Sequence, residues 1–235
     1  MNKLAPPPRT RTLFEAFSWV EFPRLLLNSP DLLSRPRGNG GRVLVFPGFG
    51  AGDYSTAPLR RYLSYLGHSA SGWQLGTNNG DVRSLLMALT RRVQAESRQC
   101  GEKVALVGWS LGGYLAREVA RELPHAVSQV ITMGSPVIGG PKYTLVARAF
   151  QDRGEDLDMI EQAVAYRERV PLRVPVTAIY SRLDGVVAWE ACIDHKSDCV
   201  EHIEIRSSHI GLGFSPDVYR ILADRLAASR PAPGR

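Results

Sequence analysis

Long apolar runs are missing from this chain of 235 residues. A membrane-spanning helix needs roughly 18 uninterrupted apolar residues, and no stretch approaches that length, so the chain is not expected to be integral to a bilayer. Cysteine is scarce: Cys100, Cys192 and Cys199 are the three, and they show no C-x-x-C or similar spacing with one another or with the histidines. That argues against a zinc site or any other metal. Cys192 and Cys199 share one short polar segment, near enough to bridge if the loop folds back and otherwise two ordinary thiols of a reducing cytosol. No Lys/Arg cluster alternates with aromatics on one element, which disfavours nucleic acid as a partner. No Ser/Gly linker or charge run divides the middle of the chain. One domain over 42–228 is therefore expected, between an N-terminal basic, amphipathic helical arm, 1–41, and a disordered Pro/Gly tail, 229–235.

What is present is ordinary globular composition, 44% hydrophobic and 22% charged, enough apolar material for one sizeable core. The net charge of +6 is weighted to the front, where Lys3, Arg9, Arg11, Arg24, Arg35, Arg37 and Arg42 stand against Glu15, Glu21 and Asp31. A solvated basic surface is the plain reading, attraction to anionic lipid or an acidic substrate the other. After Pro6–Pro8, residues 11–22 carry Leu13, Phe14, Phe17, Trp19, Val20 and Phe22 around a narrow polar strip, the pattern of an amphipathic helix ended or kinked by Pro23. Glu15, Ser18 and Glu21 interrupt any secretory h-region, so a cytoplasmic or peripheral-membrane location is expected. The helix is either a lipid-facing or substrate-access element or, by default, a brace packed on the body.

From residue 42 the pattern changes to short buried strands, each followed by a turn signal and a helical segment, which predicts a mostly parallel sheet. Strands are expected at 42–46, 69–75, 103–107, 127–133, 174–180 and 200–206. Helices are expected from Ser55 or Thr56 to Gly67, over 81–98, after residue 111, near 155–169 and over 217–228. About forty residues separate the fourth and fifth strands, and an excursion of that length is usually functional.

The chemistry centres on Gly108-Trp109-Ser110-Leu111-Gly112, a G-x-S-x-G pentapeptide between a buried strand and a helix. A serine hydroxyl is a weak nucleophile until a base takes its proton, and the base needs an acid to hold its tautomer. In a parallel sheet these partners belong at the carboxyl ends of later strands. His209, in the loop after the last strand, is the expected base: His68 and His125 precede strands, His202 lies within one, and His195 sits in the cysteine loop. Asp184, directly after the fifth strand, is the expected acid, with Asp194 and Asp198 as substitutes. The oxyanion donors expected are the backbone amides of Leu111, after the nucleophile, and Phe49, in the Pro47-Gly48-Phe49-Gly50 turn.

The order Ser110, Asp184, His209, each after a strand, resembles the α/β-hydrolase fold, and the motif set is similar to that of bacterial lipases and carboxylesterases, over about residues 42–226. That resemblance implies an α/β architecture, a six-stranded minimal sheet without the two leading antiparallel strands of the family, and cleavage of a small-molecule or lipid ester through an acyl-enzyme without a cofactor. Pro47-Gly48 stands where lipases of that group often carry His-Gly. It also implies a short cap or lid over the serine, residues 137–172, with Leu157, Ile160, Val164 and Tyr166 facing an acyl pocket and Trp109, Trp73 and Phe49 on its wall. Acyltransferase or thioesterase chemistry with the same triad, or a non-catalytic binding protein with peripheral membrane contact through the arm, are the alternatives. Epoxide and haloalkane hydrolysis require a carboxylate where this chain has Ser110.

Overall fold

Strand β1 (Arg42–Phe46) sends Leu44 and Phe46 to one side and Val43 and Val45 to the other, all buried. The period-2 geometry of a strand gives a sheet apolar on both faces, which helices must cover. In the computed structural model, which describes residues 4–228, the expected tail 229–235 lies outside the described residues. Three short helices, α1 (Arg9–Thr12), α2 (Glu21–Leu27) and α3 (Ser29–Leu33), precede β1. Then follow α4 (Ala57–Tyr65), β2 (Ser69–Gly72), α5 (Val82–Cys100), β3 (Val104–Trp109), α6 (Leu111–Glu122) and β4 (Val127–Met133). After β4 come α7 (Ala147–Gln151), α8 (Leu157–Arg167), β5 (Val176–Tyr180), β6 (Val200–Glu204) and α9 (Pro216–Ala228).

The six strands form one sheet, all parallel, in the order β2-β1-β3-β4-β5-β6. One face packs Leu44, Phe46, Leu106 and Val130 against α5 and α6 through Leu89, Val93, Leu115 and Val119. The other packs Val43, Val45, Val107 and Ile131 against α4 and α9 through Leu59, Leu63 and Leu222. Each such side chain removed from water contributes about 1.5–3 kcal/mol. From β1 the chain moves outward to β2 and then returns to the other side as β3, so the loops leaving β1 and β3 part from each other. Ligands bind at such a switch point in open α/β sheets. Register places Phe46 beside Gly108, so Pro47 and Trp109 stand at one level at the carboxyl ends of their strands.

Two local expectations are corrected. The second strand stops at Gly72 rather than residue 75, because the Asp53 carboxylate accepts the amides of Trp73 and Gln74 at 2.9 and 3.0 Å and so removes them from the ladder. The single helix over 11–22 is instead α1, a 3₁₀ helix (Leu13–Val20) and α2, with Pro23 inside the first turn of α2, where a missing N–H is tolerated. At three residues per turn, Glu15, Ser18 and Glu21 fall in one row. That row faces the body, with Ser18 and Glu21 buried, while Leu13, Phe14, Phe17, Trp19, Val20 and Phe22 are exposed. The arm is a brace, but it braces with its polar strip.

Candidate active site

Ser110 joins the end of β3 to the start of α6 at φ 55°, ψ −125°, a backbone conformation that L-residues adopt at a cost of order 1–3 kcal/mol. Neighbouring glycines make the turn possible. A Cβ on Gly112 would run into the carbonyls of Phe46 and Pro47, and one on Gly48 would come within 3.2 Å of Ser110 Cβ. The Ser110 amide donates to Met133 O at 2.8 Å, and its hydroxyl makes no capping bond to α6.

Asp184 and His209, on the loops after β5 and β6, meet beside this turn. The amides of Val186 and Val187 donate to Asp184 Oδ1 at 2.8 and 2.7 Å, which fixes the carboxylate and leaves Oδ2 to accept from His209 Nδ1 at 2.6 Å. Both residues are buried. Beneath them Gly134, at φ 55°, leaves the space that a Cβ would fill at 3.0 Å from both Asp184 Oδ2 and His209 Nδ1. The Trp109 indole N–H donates to His209 O at 3.2 Å, so the residue before the serine also holds the histidine loop. Burial opposes the imidazolium, yet the charge and hydrogen bond of Asp184 and the charge of Glu15 outweigh it, and the His209 pKa stands above its ordinary value of 6.5.

Three of the other candidates are committed elsewhere. Asp194 is ion-paired with Arg117 at 2.5 Å, the His202 ring accepts the Asp194 amide at 2.9 Å, and the His125 ring meets Gln94 Oε1 at 3.1 Å. Cys192 and Cys199 are free thiols.

The turn after β1 is braced by a residue that sequence reasoning missed. Asn78, fully buried, donates its side-chain amide to Pro47 O at 2.9 Å, and its carbonyl accepts from Gly50 N at 2.8 Å. Ala51 N donates to Gly48 O at 3.2 Å. Phe49 N is left without a protein acceptor among the described residues, as is Leu111 N at the open N-terminus of α6. The signal in the sequence was two consecutive asparagines in the polar loop that follows the second strand.

Ser110, Leu111, Phe49 and His209 border one cavity of about 890 Å³. No hydrogen bond joins Ser110 Oγ to the His209 ring among the described residues; in unliganded sites such bonds are often long and tighten on binding. The segment between β4 and β5 lines one part of the cavity. Phe150 of α7 packs on Phe49 with ring centroids 5.1 Å apart, and the Arg153 guanidinium lies 5.1 Å from the Phe49 ring. Of the residues named for the pocket, Trp109, Ile160 and Val164 line the cavity, whereas Leu157 and Tyr166 do not. Ile160 and Val164 are one turn apart on α8; Tyr166, some 200° further round, is exposed, and Leu157 sits at the outer end of the helix beside its Asp156 cap. Trp73 is core, its indole N–H donating to Gly76 O at 2.9 Å.

Glu15 is the second missed residue. Its Oε1 accepts the amides of Gly185 at 2.9 Å and His209 at 2.8 Å, and its Oε2 accepts that of Ile210 at 2.8 Å. Glu21 accepts from Ser207 Oγ at 2.8 Å. Both belong to the polar strip of the arm, and their spacing of six, with Ser18 midway, was the available signal.

No protein-family model and no curated protein sequence matches the chain. Solved structures do. One of the metagenome-derived lipolytic enzymes LipS and LipT is 17% identical at TM-score 0.65, covering 83% of this chain and 96% of its own. The Bacillus licheniformis lipase BlEst2 is 14% identical at TM-score 0.62, covering 83% and 95%. A monoacylglycerol lipase of Paleococcus ferrophilus is 14% identical at TM-score 0.60, covering 83% and 97%. Identities this low speak to architecture, and reactions on a shared fold are decided by the site. With its all-parallel six-stranded sheet flanked by helices, and these neighbours, the chain has the α/β-hydrolase fold.

Proposed function

We propose that this protein is a serine hydrolase that cleaves carboxylic esters. The observation that carries the reading is the buried Asp184–His209 pair at 2.6 Å on the wall of the cavity into which the strained Ser110 turn opens. With Nδ1 donating to Asp184, the Nε2 of His209 is the basic nitrogen. It takes the Ser110 proton as Oγ attacks the ester carbonyl, and the amides of Phe49 and Leu111 hold the resulting oxyanion. Collapse of that intermediate passes the proton to the departing alcohol. Water, deprotonated by His209, then releases the acid and restores Ser110. The apolar stretch of the wall, from Phe150 to Ile160 and Val164, supports a hydrocarbon acyl group. No step calls for a cofactor.

The test is covalent labelling of Ser110 by a fluorophosphonate, followed by turnover of p-nitrophenyl esters of graded acyl length. Ser110→Ala is expected to abolish labelling and to lower kcat on the order of a million-fold. A folded wild-type protein that stays unlabelled overturns the reading in favour of a non-catalytic hydrolase fold. Ester products formed in the presence of alcohols, or faster turnover of acyl-CoA, would move it to acyl transfer or thioester hydrolysis with the same residues.

A further inference from the structure

The N-terminal arm reverses the usual arrangement of a surface helix. Carboxylates and a serine face the protein, and the apolar side chains face out: Leu13 is 69% exposed, Phe17 64% and Trp19 74%. The arrangement is anchored. Glu15 holds three backbone amides, Glu21 accepts from Ser207, Arg24 pairs with Asp217 at 3.0 Å, and Phe22 stacks on Phe214 with centroids 4.5 Å apart. The aromatics cannot turn inward without breaking these contacts, so the apolar face is fixed outside, where water makes it unfavourable.

We propose that this outer face docks the protein on an anionic lipid surface. Three observations select that occupant. First, the face combines Trp19 with three phenylalanines and two aliphatics on one short segment, the composition of elements that lie in a headgroup boundary. Second, the charge is complementary. The acids of the arm are drawn onto the protein, Glu15 and Glu21 by the loops and Asp31 by Arg220 at 2.6 Å. Lys3, Arg9 and Arg11 belong to the same end of the chain, and Arg11 has no ion pair among the described residues. A second copy docked face to face would bring two such basic segments together. Third, the arm is tied to the rim of the cavity. Ile210, whose amide is bonded to Glu15, is 45% exposed and also borders the cavity beside His209. An apolar molecule leaving a lipid layer at the arm would arrive at that opening. The docking itself does not depend on the reaction assigned to Ser110.

The experiment is flotation of the full-length protein with phosphatidylcholine vesicles and with vesicles that also contain phosphatidylglycerol. Wild type is expected to float with the anionic vesicles, less so as salt is raised. A Phe17→Ser/Trp19→Ser variant is expected to lose about tenfold or more in partitioning. Neither residue borders the cavity, so that variant should react with a fluorophosphonate at the wild-type rate, which also reports that it is folded. Met159→Ser, at an exposed apolar position on α8, should float like wild type. Wild type that stays with the soluble fraction overturns the proposal, and so does equal, salt-independent binding to both vesicle types. A lipid-indifferent dimer that the double variant converts to monomer overturns it in favour of self-association.

Discussion

Three backbone amides from two loops converge on the carboxylate of Glu15, and each loop carries one member of the Asp184–His209 pair. The side chain touches neither ring nor substrate space, so its action on catalysis is positional and electrostatic. His209 is faced by the carboxylates of Asp184 and Glu15, by the neutral Trp109 and Leu212 side chains, and through Ser207 by Glu21. The two nearest charges raise its pKa, and the base works only when neutral, so rate is lost as pH falls through that raised value. Glu15→Gln removes one of the charges and replaces an acceptor with an NH₂ that opposes an amide. The acidic limb of the kcat/KM profile should then move to lower pH. At the plateau kcat should fall, up to about a hundredfold if His209 is displaced by an ångström, with KM little changed. A purely structural Glu15 would lower the melting temperature and leave the limb in place.

At the scale of elements, what could be read from the sequence was what is decided locally. The alternation in β1 and the glycines around Ser110 each carry their own signal, and they located the sheet and the turn; Ile160 and Val164 came only with the family resemblance, together with Leu157 and Tyr166, which the 3.6-residue period of α8 turns away from the cavity. The end of β2 was not legible because Asp53, twenty residues upstream, takes its amides. The polarity of the arm was not legible because the amides that draw Glu15 inward are 170 to 195 residues away, and an apolar face is ordinarily assigned inward. The segment of α8 offers the next test. α8 is tied down by Lys142 to Asp158 and Glu161 at 2.5 Å and by Arg167 to Glu122 at 2.8 Å, so a larger side chain at residue 160 should fill the cavity rather than lift the helix. For Ile160→Trp, kcat/KM toward long-chain p-nitrophenyl esters should fall by about fourfold per methylene excluded, at about 0.8 kcal/mol each, while the acetate ester is unaffected. Uniform loss across the series would place the acyl group elsewhere.

For the molecule as a whole, the functional loops all leave one edge of the sheet, and the segment between β5 and β6 must also be held against α6. A buried ion pair does this. Arg117 of α6 and Asp194 meet at 2.5 Å with both side chains nearly inaccessible, and Asp194 Oδ1 also accepts the amides of Lys196 and Ser197. Burial pushes the Asp194 carboxyl upward, but the hydrogen bond and charge of Arg117 and the Lys196 amide outweigh it and bring the pKa from 3.8 to about 2. A depressed folded-state pKa means stability present above the unfolded value and lost as pH falls through the folded one. Part of the acid sensitivity of the fold should therefore lie between 3.8 and about 2. Asp194→Asn keeps the shape but strands the Arg117 charge, a change that costs about 3–5 kcal/mol in buried pairs. For a chain of this size that is a fall of roughly ten degrees in melting temperature near neutral pH. The variant should also show a shallower decline through the acid window, since one proton fewer is taken up on unfolding. Because the pair lies apart from Ser110 and His209, the rate of fluorophosphonate labelling below the melting transition should not change. A variant that melts with the wild type, or one whose labelling slows while its stability holds, would mean that Arg117 and Asp194 serve the site rather than the fold.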